Sequence, residues 1–122
     1  MRPRFEGQPI IDAYGDNGFR LAEQRFEGSI LLTPRGLYPW SPSHAGEATV
    51  ESLTPIVESV GEFDFFIVGS GAQFARLPAD VMQFLHAERI VPDIMLTGAA
   101  CRTYNILKAE NRRVAAGLIA VA

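Results

Sequence analysis

Asp93 to Ala122 reads D-I-M-L-T-G-A-A-C-R-T-Y-N-I-L-K-A-E-N-R-R-V-A-A-G-L-I-A-V-A, and this stretch decides the fold. Ile94, Met95 and Leu96 form an apolar run long enough for a buried strand. Thr97 and Gly98 break it. Thr97 stands where an N-cap is wanted, its hydroxyl taking up a backbone N–H left unpaired in the first helical turn. Ala100, Tyr104 and Leu107, with Thr103 beside them, recur at three- and four-residue spacing and share one helix face. Arg102, Asn105 and Lys108 fall elsewhere and are expected in water. Asn111 stands where a left-handed residue ends a helix, a backbone that Asn tolerates. Val114 to Ala122 is then almost wholly apolar, as a strand covered on both faces is. Two such strands joined through a helix imply an interior sheet, with function at its joints.

Upstream, the same alternation continues. Thr54-Pro55 suits the first positions of a helix, with Ile56, Val57 and Val60 on its apolar face and Gly61 ending it. Phe63 to Val68, F-D-F-F-I-V, predicts a strongly apolar central strand, closed by Gly69-Ser70-Gly71. Pro78 opens another helix, Asp80 lies in its first turn where the helix dipole favours an acid, and Val81, Phe84 and Leu85 form its buried stripe. Helices alternating with strands predict an α/β sheet.

The first third reads differently. Ile10 to Tyr14, Phe19 to Ala22, Phe26 to Thr33 and Leu37 to Trp40 are strand candidates, separated by Gly15-Asp16-Asn17-Gly18 and Pro34-Arg35-Gly36. Gly28-Ser29 marks a bulge or bend inside the third, and Pro39 pushes the fourth to an edge. The connections are too short for crossovers, so these strands are antiparallel. Ser41 to Gly46 is a loop. The fold class expected is a single three-layer α/β domain over residues 1–122, a mixed central sheet with helices packed on it and an additional N-terminal antiparallel layer.

Composition limits the function. Nearly half of the 122 residues are hydrophobic, with eight Phe, enough for a sizeable core. Net charge is −3 with no dense Lys/Arg run, which argues against a nucleic-acid binder. One cysteine cannot staple the fold and fits a reducing compartment. No apolar run reaches the roughly 18 residues of a membrane span. The start, M-R-P-R-F-E, lacks the apolar centre of a signal peptide and the length of a transit sequence, so a soluble cytoplasmic protein is expected.

Few residues carry chemistry. Gly69-Ser70-Gly71 follows a strand, but the third glycine of a dinucleotide fingerprint is replaced by Phe74, and no Gly-Lys-Ser/Thr follows. A tight exit from the sheet explains these glycines better. Cys101 lies at the start of a helix beside Arg102, a setting that favours a thiolate. Nothing in the spacing of His44 or His86 supplies its base, so a small buried thiol is the plainer reading. One Cys and two scattered His match no metal-ligand spacing. Thr97-Gly98-Ala99-Ala100 opens a helix with small residues, and Arg102, Arg112, Arg113 and Arg76 are cations that an anion site there would use; solvated or acid-paired arginines are the alternative. Trp40, with Tyr38 beside it, is either a partner anchor or cover for its own core.

F-D-F-F-I-V-G-S-G-A-Q, the proline-started helix, and above all A-A-C-R-T-Y-N-I-L-K-A-E-N-R-R-V-A-A resemble a family of small bacterial and archaeal single-domain proteins that includes the mitochondrial respiratory complex I assembly factor 3. S-I-L-L-T-P-R-G-L-Y-P-W is similar too, so the resemblance covers nearly the whole chain. It implies a three-layer α/β fold with a mixed central sheet and no established catalytic residues. It also implies an assembly role alongside another protein.

The expectation is therefore an interaction or assembly protein without cofactor, metal or catalytic residues, whose partner is another protein. The alternative is a small-molecule or anion-binding protein or enzyme. Both readings use one cleft, formed by Gly69, Ser70, Gly71 and Gln73 of one turn and Thr97, Gly98 and Arg102 of the helix start. Both turns follow apolar strands, and open α/β sheets place their crevices at the carboxyl ends of parallel strands.

Overall fold

Turn residues cut the chain where its apolar runs end. The computed structural model describes residues 2–122; Met1, first residue of the M-R-P-R start, lies outside them. In chain order the elements are β1 (Phe5–Glu6), β2 (Ile11–Gly15), β3 (Gly18–Leu21), β4 (Gln24–Glu27), β5 (Ser29–Thr33), β6 (Gly36–Trp40), α1 (Thr54–Glu58), β7 (Phe65–Gly69), α2 (Ala79–Ala87), β8 (Pro92–Met95), α3 (Thr97–Ala109) and β9 (Val114–Leu118). Two short 3-10 turns precede α1.

Six strands form the main sheet in the order β1-β6-β5-β9-β7-β8, and β2-β3-β4 form a separate antiparallel sheet. β7 runs parallel to both β8 and β9, whereas β5 is antiparallel to β9 and to β6. The mixed α/β fold is the one expected. Its two faces explain why the strands lack polar alternation. Phe66 and Val68 point to a core with Leu31, Trp40, Val81 and Leu85. Ile67 points to the opposite core with Leu32, Tyr104, Ala116 and Leu118. A strand covered on both sides has no wet face to mark its period.

Several expectations change. The run Phe26 to Thr33 is two strands in different sheets, split at Gly28, whose φ of +79° turns the chain between them. Phe26 is the buried residue of β4, whereas every residue of β5 is buried. β9 ends at Leu118 rather than Ala122. Trp40 is 3% exposed and its indole Nε1–H donates to Ser52 Oγ at 3.0 Å, so it covers its own core instead of anchoring a partner. Asn105 is half-buried rather than wet, because its side chain pairs with both backbone groups of Ile11. Pro39 behaves as expected: β1 pairs β6 only at Gly36 and Leu37, which leaves Pro39 on an open edge.

Candidate functional site

Parallel β7 and β8 end side by side, with Gly69 beside Met95. The turn after β7 and the start of α3 therefore leave the same end of the sheet. Their backbones are sewn together. Ser70 N–H donates to Met95 O at 2.8 Å, Thr97 N–H to Gly71 O at 3.0 Å, and Ile119 N–H to Gly69 O at 2.9 Å. The Thr97 hydroxyl accepts the Gly71 N–H at 2.9 Å and donates to Ile119 O at 2.7 Å. Thr97 is thus not the N-cap. That position belongs to Leu96, which makes no side-chain cap. A hydroxyl with two long-range partners joins three segments instead of finishing its own helix.

This changes the site expected from sequence. Gly69, Ser70 and Thr97 are buried beneath the surface and their polar groups are satisfied internally. The Ser70 hydroxyl donates to Gln73 O and accepts the Ala75 N–H, so Ser70 shapes its own turn. Gln73 is exposed and lines no hollow with the others. Gly71, whose N–H is taken by Thr97, contributes a wall rather than a donor. What remains is a hollow of about 320 Å³ lined by Gly71, Ala72, Gly98, Arg102, Tyr14 and Val121. The N–H groups of Gly98 and Ala99, in the first turn of α3, have no acceptor among the described residues.

Tyr14 was invisible to the sequence reading. It comes from β2 in the smaller sheet, and its hydroxyl lies so close over Gly98 that a Cβ there would collide with it. A second hollow, about 470 Å³, continues on the other side of Tyr14 and Arg102 to Asp12, Cys101 and Asn105. Tyr14 and Arg102 are common to both and divide one shallow groove. Asn105 holds β2 in place by accepting the Ile11 N–H and donating to Ile11 O, each at 2.8 Å. Tyr104 adds a bond to Pro9 O at 2.8 Å.

The charges do not converge as expected. The ion pairs among the described residues are Arg25–Glu27, Arg35–Glu62 and Arg113–Asp64, and Arg102 belongs to none. Arg112 and Arg113 sit beyond the far end of α3. Arg112 stacks 4.9 Å from the Phe65 ring centroid, and Arg113 holds the Asp64 carboxyl below its ordinary range. Arg76 lines a different hollow, beside α2. Burial pushes the Cys101 thiol up to about 12, with Arg102 offsetting only part, so the helix start does not yield a thiolate. His44 Nδ1 accepts the Gly46 N–H in a 3-10 turn, and His86 is exposed on α2.

Comparison with known proteins gives a consistent set of relatives. An uncharacterised protein of Rhodobacter capsulatus is 32% identical over 117 residues, covering 96% of this chain and 89% of its own. NADH dehydrogenase (ubiquinone) 1 alpha subcomplex assembly factor 3 of Danio rerio is 29% identical over 98% of this chain, which spans 68% of that protein. The crystal structure of a protein described as an outer membrane protein of Bartonella henselae superposes with a TM-score of 0.91 at 39% identity, covering 98% of this chain and 100% of that one. Residues 11–119 match the family model described as "Protein of unknown function (DUF498/DUF598)", and the chain belongs to that family.

Proposed function

We propose that this protein is a non-enzymatic interaction protein that assists assembly of a respiratory or membrane complex. One observation carries the reading: the alignment with the complex I assembly factor of Danio rerio takes in 98% of this chain. On this reading the partner is another protein, met in the cytoplasm, without cofactor, nucleic acid or insertion into a membrane. No helix among the described residues is long and apolar enough to cross one. Deleting the gene in its own organism and resolving membrane complexes on native gels tests the reading. Loss of assembled NADH dehydrogenase or another respiratory complex, restored by the gene, is the expected result. Unchanged complexes overturn it.

A second reading is favoured by Arg102, a cation outside the ion pairs of the described residues, beside the first turn of α3 and the Tyr14 hydroxyl. The groove then takes a small carboxylate or phosphate. Titration with inorganic phosphate or citrate, followed through the Gly98 and Ala99 amide signals, tests it. A saturable shift that disappears in Arg102→Ala supports this reading, and flat signals exclude it.

A further inference from the structure

We propose that the outer edge of β8 accepts an extended segment of a partner protein, which joins the main sheet as a seventh strand. The inference rests on the interaction reading above and names its surface. β8 ends the strand order on one side of the sheet, and among the described residues its only neighbour is β7. The bond from Ser70 N–H to Met95 O shows that Met95 turns its backbone toward β7. Backbone direction alternates along a strand, so Asp93 faces β7 as well, whereas Pro92 and Ile94 face outward. Pro92 is placed where its missing N–H removes no bond to β7. The outward groups are Pro92 O, Ile94 N–H, Ile94 O and the Leu96 N–H just beyond the strand. None of them has a hydrogen-bond partner elsewhere among the described residues. Among protein partners, an extended chain lying alongside matches such a row, because a helix has already used its own donors and acceptors.

Side chains around this edge supply the rest of a recognition surface. Ile94 opens into a hollow of about 450 Å³ between β8 and α2, with Leu77 and Met82 as its apolar walls and Arg76 and His86 at its rim. Among the described residues no acidic side chain lines it, and Arg76 belongs to no ion pair. Val91, 75% exposed, and Leu96, 44% exposed, stand at the two ends of the strand. Val91 borders another hollow with Val60, Phe63 and Ile90. The partner segment that fits is apolar at alternate positions, to fill the Ile94–Met82 hollow, and carries a carboxylate for Arg76. Methionine lets the hollow adapt to more than one apolar side chain. Because β8 has four residues and begins with Pro92, the added strand is short, and its side chains select the partner.

Random peptides displayed on phage and selected on the full-length protein test the proposal. The expected winners alternate apolar residues around an Asp or Glu. They slow hydrogen exchange at the Ile94 and Leu96 amides, bind Arg76→Glu about tenfold more weakly, and do not bind Ile94→Pro. Should Ile94→Pro melt early, Val91→Asp serves in its place, since Val91 is 75% exposed and lies outside the groove of Tyr14 and Arg102. Winners that map to the Tyr14–Arg102 groove, an absence of winners, or a protein whose own β8 edges pair in a dimer would each overturn the proposal. Returning Arg76→Glu and Val91→Asp to the gene-deleted cell separates this inference from the assembly reading. Both variants should fail to restore the complex. Full restoration by either, with deletion still harmful, would leave the assembly reading standing and remove β8 as its surface.

Discussion

At the scale of single residues, two glycines at the same end of the sheet have opposite reasons to be there. A Cβ at Gly69 would meet Thr97 Cα and Oγ1 at 2.9 Å and Leu118 Cδ2 at 3.1 Å. Backbone cannot step aside, so Gly69→Ala is expected to cost about 1–3 kcal/mol. At Gly98 the collision is with the hydroxyl of Tyr14, the tip of a side chain 44% exposed. Tyr14 can swing away, and alanine favours the helix, so Gly98→Ala should change stability by less than about 1 kcal/mol. Urea midpoints decide this; equal losses in the two variants would contradict the geometry. The thiol of Cys101 gives a second residue-scale test. An exposed thiol titrates near 9.0, the folded one at about 12. The unfolded chain therefore loses its proton first, and the stability this group contributes is complete below pH 9.0 and lost as pH rises toward 12. At about pH 10.5 the loss is about 2 kcal/mol. Burial raises Tyr104 as well, which adds in the same sense. Cys101→Ser should fold, keep its binding, and show a shallower alkaline decline in urea midpoint; an unchanged slope would refute this.

Among elements, β7 and β9 lie side by side inside the main sheet, each with a strand on both sides. Ile67 and Leu118 lie on the same face of the sheet, with Tyr104 of α3 in the core that covers them. Replacing either with Ala leaves a cavity that neighbouring strands cannot close, because each is fixed by ladders on both sides. We expect a loss of about 2–5 kcal/mol for each, read from urea unfolding. A midpoint equal to the parent's would remove these strands from the core. Both strands and α3 were legible in the sequence because an apolar run with capping and turn residues is a local signal. The left-handed Asn111 was legible for the same reason, and its φ is +58°. The division of Phe26 to Thr33 was not, since a glycine inside a strand run marks a bulge or bend as readily as a corner between two sheets. Nor was the role of Thr97, whose partner Ile119 is 22 residues away. Phe65 shows the limit from the other side. Its run predicts full burial, but it is only half-buried and shelters under Arg112.

For the whole molecule, the sheet's topology decides where binding is physically open. Parallel β7 and β8 bring Gly71, Gly98 and Arg102 to one end, and the separate β2-β3-β4 sheet delivers Tyr14 across the top of α3. The sequence located the α3 half of that groove and missed the half from β2, because no local pattern reports a contact between segments more than eighty residues apart. Among the described residues Arg102 is the only charged side chain lining the hollow at Gly98, and it belongs to no ion pair. Removing it therefore leaves no buried partner unsatisfied, and the unfolding midpoint of Arg102→Ala should match the parent's. Any carboxylate or phosphate seated there loses a charged hydrogen bond worth about 1.5–3 kcal/mol. Titration calorimetry with phosphate or citrate, or with a partner captured through this end of the sheet, should show that weakening. Full affinity in a well-folded Arg102→Ala protein would show that the groove is a seam between the two sheets and not a binding site. Binding would then be left to the open β8 edge.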